Sequence, residues 1–326
     1  MGFNFASAWE AVADAIPDGQ ALITGDVHRS WATYEDRAAR VAAALRAAGV
    51  GARDNVGLCL FNGNEYLEAQ FGAMKERCSP FNVNYRYTAE ELHDLLDDAD
   101  ARAVFFSAEL VDRFSEIHDA LGDVALFVQV GADGEVPAWA VGYEALIESH
   151  QPASRIEREP DDLWLLFTGG TTGRPKGVMW PHEQMVGTMA NTYAGMKMSL
   201  PQTVDEVVAR VHDIHARGYV TRQLAAAPLM HGTAGIAALS THTQGGAVIC
   251  LASHSLDADE LWACVARDRA THLTIVGDAF SRPMVDALDA AAARGRPYDL
   301  SSIFLIMSSG VCLLYTSDAA DDRPRV

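Results

Sequence analysis

Short apolar runs alternate with longer amphipathic stretches along almost the whole chain, and this alternation limits the topologies open to it. The runs at 56–61, 103–106, 125–130, 163–167, 177–180, 223–227, 247–251, 273–276 and 303–307 are mostly apolar and too short for helices, so they read as strands. Between them, 33–48, 64–75, 88–99, 108–121, 183–196, 234–242, 257–269 and 282–294 read as helices. Two of these carry start signals. Thr33 has Asp36 three residues on, with Gly49 as a stop, and Thr88 has Glu91 three residues on. Strands separated by helices of ten or more residues are joined by crossovers, and crossovers connect parallel strands. The expectation is an α/β chain with mostly parallel sheets flanked by helices. The stretches 133–138 and 150–162 are loop-like, and the second is the better subdomain boundary. Two sheets within one large domain fit this pattern better than two independent domains.

Composition narrows the partners. Hydrophobic residues make up 49% and charged residues 21%, which suits a globular chain with a sizeable core. The 44 acids outnumber the 25 bases, and no Lys/Arg cluster of the kind that neutralises a duplex is present, so no nucleic-acid partner is expected. Cys59, Cys78, Cys250, Cys264 and Cys312 are far apart and form no CxxC pair, so they read as reduced thiols of a cytoplasmic protein. His212 and His215 form an HxxH without a third ligand nearby, and no metal site is assigned. The N-terminus has no basic region followed by an apolar run, which argues against a signal peptide, and Ala6 stands where a myristoylation signal needs Ser or Thr. No run approaches the ~18 apolar residues of a transmembrane helix. Nothing in the pattern fixes an oligomeric state.

The most informative segment is 165–180, LLFTGGTTGRPKGVMW, in which an apolar strand enters a Gly/Thr loop and a second strand follows. Gly169, Gly170 and Gly173 let backbone amides approach a ligand without a Cβ in the way. Thr168, Thr171 and Thr172 add hydroxyls, and Lys176 adds a point charge on a flexible stem. Such a set suits a polyphosphate. It is not a Walker A loop, because Pro175 precedes the lysine and a strand, not a helix, follows.

This segment closely resembles the phosphate loop of the adenylate-forming (AMP-binding) superfamily, [Tyr/Phe]-Thr-Ser-Gly-Thr-Thr-Gly-x-Pro-Lys-Gly. The single departure is Gly169 for the usual Ser, a variant similar to that of bacterial fatty-acyl and steroid-side-chain CoA ligases. Three further segments resemble the same family. In APLMHGTAG, residues 227–235, His231 matches a residue placed near the acyl pocket and adenylate. In VGDAF, residues 276–280, Asp278 stands at a helix start that lines the acyl tunnel, or is a simple N-cap. In SSGV, Ser308, Ser309 and Gly310 match a small-residue loop on the adenine side. The segment 64–92 also resembles the family, and no catalytic role is assigned to it.

The resemblance implies the N-terminal large domain of the adenylate-forming fold, incomplete, over residues 1–311. It implies an AMP-forming acid–thiol ligase, an acyl-CoA synthetase of lipid metabolism, using ATP, Mg²⁺, coenzyme A and a fatty or steroid-like carboxylic acid. Within the superfamily the alternative is amino-acid or aryl-acid adenylation; outside it, a non-catalytic nucleotide-binding module or pseudoenzyme. The family's Tyr-Gly-x-Thr-Glu and Arg-Thr-Gly-Asp segments, hinge and small C-terminal domain with its catalytic Lys are not found in these 326 residues, so the chain by itself is expected to be inactive. The last residues, 312–326, read CLLYTSDAADDRPRV, which is what a common transposase sequencing adapter gives in translation; they are expected to be non-native.

Overall fold

The computed structural model describes residues 2–131, 135–168 and 176–309. Their strands are β1 Gln20–Thr24, β2 Val27–Ser30, β3 Asn55–Cys59, β4 Ser79–Asn82, β5 Ala101–Ser107, β6 Leu126–Val130, β7 Val141–Gly142, β8 Leu163–Thr168, β9 Lys176–Pro181, β10 Arg222–Ala225, β11 Ala247–Cys250, β12 His272–Ile275 and β13 Leu305–Ser308. The helices are α1 Phe5–Ala15, α2 Trp31–Ala47, α3 Asn64–Lys75, α4 Ala89–Asp98, α5 Val111–Ile117, α6 Tyr143–Ser149, α7 His182–Met185, α8 Ala190–Gly195, α9 Val204–Ala216, α10 Gly232–Thr243, α11 Ala258–Asp268 and α12 Asp278–Ala293.

The strands form two sheets, ordered β13-β12-β10-β11-β1-β2 and β7-β6-β5-β3-β4-β8-β9. Pairing is parallel except in the hairpins β1–β2 and β8–β9, as the crossover argument requires. A central core is shared by both sheets: Leu22, Ala225 and Val248 of the first lie in one cluster with Leu58, Phe105 and Trp164 of the second. Helices α1, α2, α3 and α10 fill this layer with Trp9, Tyr34, Phe71 and Leu239. The outer face of the first sheet packs on α11 and α12, and that of the second on α4 and α5. Burial of these apolar side chains supplies the main folding drive.

Local signals hold with instructive exceptions. Thr88 and Glu91 close a reciprocal capping box on α4. At α2 the cap is Ser30, not Thr33, because the Ser30 hydroxyl accepts the Thr33 N–H at 3.2 Å and two more residues join the helix. The single helix expected over 108–121 is α5 flanked by two 3₁₀ turns, and that over 183–196 is α7, a 3₁₀ turn and α8.

The stretch 150–162 has no helix or strand, yet charge fastens it. Arg158 donates to both carboxylate oxygens of Glu10, at 2.8 and 2.9 Å, and Glu10 also accepts from Lys75 at 2.6 Å. Asp162 accepts from Arg77 at 3.0 Å and from Asn4, whose own oxygen caps α1. Arg158 and Lys75 are each 2% exposed, so a charge left alone there would be costly.

Candidate active site

The phosphate-type loop is carried by the edge hairpin β8–β9. Register places Thr168 opposite Lys176 as the last pair among the described residues, at the neck of the loop, and both are exposed. Gly169, Gly170, Thr171, Thr172 and Gly173 lie outside the described residues, as does Gly310. The neck is held from below by Asn82 at the end of β4. Its amide donates to the Phe167 carbonyl at 3.0 Å and accepts the Phe167 N–H at 2.7 Å. The Phe167 ring lies 5.3 Å from that of Phe81 and covers Gly177, where a Cβ would stand 2.8 Å from the ring. Asn82→Ala removes both bonds and strands two backbone groups; it is expected to cost about 1–3 kcal/mol of stability in a denaturant titration. A loss near zero would show that other groups satisfy Phe167.

The second predicted segment packs on the first. His231 is the residue before α10, its N–H donating to the Pro228 carbonyl at 3.0 Å. The small residues that follow are demanded by β8: a Cβ on Gly232 would meet Leu166 at 3.1 Å, and one on Gly235 would meet the Leu229 carbonyl at 2.9 Å and Trp164 at 3.5 Å. The glycines therefore let the His231 turn close against the strand that feeds the loop. His231 faces solvent, yet nearby protein lowers its imidazole pKa through desolvation first and the positive field of Arg86 second. It is therefore biased to the neutral form.

Asp278 and Ser308–Ser309 meet on the same side. The residue before α12 is Gly277, with φ 55° and ψ −157°, a conformation that favours glycine. Its N–H donates to Ser308 Oγ at 2.9 Å, which ties the end of β13 to the start of α12. Asp278 is thus the first helical residue and not the cap; it accepts from Ser281 Oγ at 3.4 Å. Ser309 shares a hydroxyl–hydroxyl bond with Thr233 of α10. His231, Thr233, Asp278, Ser308 and Ser309 thus cluster beyond the carboxyl ends of β10, β12 and β13.

That end is where ligands enter open α/β sheets. The chain leaves β10 toward β11 on one side and returns past it to β12 on the other, so strand order reverses there. A cavity of about 400 Å³ opens at this point, lined by Ala225, Ala226 and Pro228 after β10, by Leu251 after β11, and by Ala279 and Phe280 of α12. A larger cavity of about 560 Å³ lies off the strand ends of the second sheet, with Glu65, Glu109 and Glu144 in its wall; an anionic nucleotide would be repelled there.

The HxxH pair sits on α9, a helix the apolar pattern did not reveal, and His215 is engaged with the Gly245 carbonyl at 3.1 Å. Among the described residues no group of three or more His, Cys, Asp or Glu could hold a metal ion. Cys59, Cys78, Cys250 and Cys264 are buried and unpaired. Burial raises the thiol pKa of Cys250 to about 12, and it holds the other three higher still, so none is a ready nucleophile. Two residues that matter here were missed by sequence reasoning, Asn82 and Asn62. Asn82 ends β4 and Asn62 lies in the loop after β3, and no motif marks either.

Residues 9–313 match the model of the AMP-binding enzyme family, and the chain belongs to that family. It is 34% identical over 329 residues to the medium-chain acyl-CoA ligase Mig of Mycobacterium avium, covering 95% of this chain and 58% of that protein. It is 33% identical over 315 residues to the 3-oxocholest-4-en-26-oate–CoA ligase of Rhodococcus rhodochrous, covering 95% and 56%. The chain spans a little over half the length of these curated relatives. Among solved structures, the N-terminal domain of FACL13 from Mycobacterium tuberculosis superposes with a TM-score of 0.76 at 23% identity, over 96% of this chain and 71% of that one. The fold is that of the N-terminal part of an adenylate-forming enzyme.

Proposed function

We propose that the full-length protein is an ATP-dependent acid–CoA ligase acting in the cytoplasm. A carboxylate oxygen attacks the α-phosphorus of ATP, and the bond to pyrophosphate breaks. The thiol of coenzyme A then loses its proton, attacks the acyl carbon and displaces AMP. Charge grows on the departing pyrophosphate, so fixed amides, hydroxyls and one cation favour the transition state over the ground state. Thr168, the loop glycines, Thr171, Thr172 and Lys176 are assigned that role. Neutral His231 and Asp278 are assigned to the acyl–adenylate side, and Ser308, Ser309 and Gly310 to the adenine side. Mg²⁺ would neutralise phosphate charge when bound with the nucleotide. Residues 1–311 would form the larger part of the N-terminal domain, with its subdomain boundary near 150–162.

The observation that carries this reading is the Thr168–Lys176 neck packed beside the His231 turn at the switch point. The relatives' names favour aliphatic or steroid-side-chain acids. The test is acid-dependent exchange of labelled pyrophosphate into ATP by the full-length protein. Exchange is expected with medium-chain fatty acids or a 3-oxo-steroid side-chain acid, and none without acid. Nucleotide binding with no exchange for any acid would leave a binding module; exchange confined to amino or aryl acids would move the protein to another branch. The 326 residues alone are expected to release no pyrophosphate.

No described helix is long and apolar enough to cross a membrane.

A further inference from the structure

One side chain joins the two sheets at the candidate site. Asn62 follows β3 of the second sheet, in the loop that leads to α3. Its amide reaches more than 160 residues along the chain to the turn between β10 and α10. Nδ2 donates to the carbonyls of Ala225 at 2.9 Å and Ala227 at 3.0 Å, and Oδ1 accepts the N–H of Leu229 at 2.7 Å. Two carbonyl partners and one N–H partner leave no freedom in which end of the amide is oxygen. Aspartate, serine or alanine could not supply this set, and glutamine would reach too far.

The loop bearing Asn62 is itself fixed. The Phe61 N–H donates to Ser107 Oγ at 3.1 Å, at the end of β5. The Phe61 ring stacks on that of His254, centroids 4.1 Å apart and planes 8° apart, and His254 pairs with Glu109 at 3.0 Å. On its other side the 225–231 turn is wedged against β8, where Gly232 and Gly235 leave no spare room. The turn is thus gripped between Asn62 and the strand that carries the phosphate hairpin.

We propose that Asn62 is a positioning residue for the reaction: it sets the 225–231 turn, and through it the place of His231 relative to Thr168 and Lys176. This rests on the acid-activating reading above. Asn62 touches no reacting atom in this role; it acts by fixing the distance between two segments that must face one substrate. Misplacement of about 1 Å at such a site costs on the order of 10²-fold in rate.

The test uses the full-length protein with Asn62→Ala and Asn62→Asp. For Asn62→Ala, kcat for acid-dependent pyrophosphate exchange is expected to fall about 10–100-fold, with KM for ATP little changed. Asn62→Asp keeps the acceptor for Leu229 but sets a carboxylate against two carbonyls. It should be worse than alanine at pH 8, and should recover relative to wild type at each lower pH as the carboxyl regains a proton to donate. Amide hydrogen exchange of residues 225–231 should quicken in Asn62→Ala while the helices keep their protection. Wild-type kcat in both variants, or loss of melting temperature with no split between kcat and KM, would overturn the proposal. If the wild-type protein exchanges pyrophosphate with no acid, the functional reading fails separately. Hydrogen exchange then decides the positioning claim, and unchanged protection of 225–231 would end it.

Discussion

In the full-length protein, Lys176→Ala is expected to lower acid-dependent pyrophosphate exchange by about 10²–10³-fold, the scale seen when one preorganised group that stabilises developing charge is removed. Lys176 stands at the neck of the loop, opposite Thr168, with an exposed side chain and no hydrogen-bonded partner among the described residues. A solvated ammonium on a flexible stem can follow charge as it moves onto the leaving pyrophosphate. The loss should therefore appear in kcat and in the use of ATP, while the apparent affinity for the acid stays near its wild-type value. Lys176→Arg keeps the charge but replaces a compact ammonium by a planar fork, and should restore only part of the rate. An equal loss of ATP and acid affinity in Lys176→Ala would mean that the lysine supports the fold of the hairpin and not the chemistry.

Acid should unfold this protein earlier than its carboxylates alone would dictate. His182 and His242 are fully buried, and burial pushes each imidazole down to about 3. For His182 the nearby Arg158 adds to the effect; for His242 a bond to the Ala21 carbonyl works against it. His242 lies in an aromatic cage, its ring 5.0–5.3 Å from those of Trp9, Trp31 and Tyr34. Both folded-state values are depressed, so the neutral form is the one the fold accepts. Above the ordinary value of 6.5, folded and unfolded chains both carry neutral rings and stability is independent of pH. As pH falls below 6.5 toward 3, the unfolded chain takes up protons that the folded chain refuses. Stability then drops by roughly 1.4 kcal/mol per pH unit for each histidine. Melting temperatures measured from pH 7.5 to 5.5, before carboxylates titrate appreciably, should decline steadily below the histidine range. His242→Phe should make that slope shallower, whatever it does to the melting temperature at pH 7.5. A flat profile over this window would show that the rings accept protons in place.

Much of the fold could be read because burial leaves a periodic trace. The strands β3, β5, β6 and β8 to β13 were expected near their observed positions, and α3 at its observed bounds, because buried strands are continuous apolar runs; β9 and β13 carry the same apolar pattern although they are largely exposed. What escaped had a different physical basis. Strands β1 and β2 and helix α1 are short or mixed in polarity, and the hairpin joins its sheet through β11, more than two hundred residues on. Helix α9 has just three buried positions, Val207, Val211 and Ile214, and its other positions mix Val204, Val208 and Ala209 with charged residues. The phosphate hairpin was legible because glycines, threonines and a lysine at fixed spacing are a chemical requirement. Asn62 and Asn82 were not, because a positioning amide is recognisable only by the backbone groups it reaches, and those lie far off in the chain.

The pairing of β1 with β11 has a consequence for how the chain is made. Leu22 sits beside Val248 in the first sheet, so the first strand synthesised there waits for a partner encoded more than two hundred residues later. At ordinary translation speeds of about 5–20 residues per second, that wait is roughly ten to forty seconds. During it Ala21, Leu22 and Ile23, fully buried in the finished fold, have the β2 hairpin on one edge and no β11 on the other. The second sheet, whose strands fall between residues 55 and 181, can assemble on the ribosome well before then. The nascent chain would thus carry one formed sheet and one amino-terminal β1–β2 hairpin with an open apolar edge, a species suited to capture by chaperones that hold exposed apolar segments.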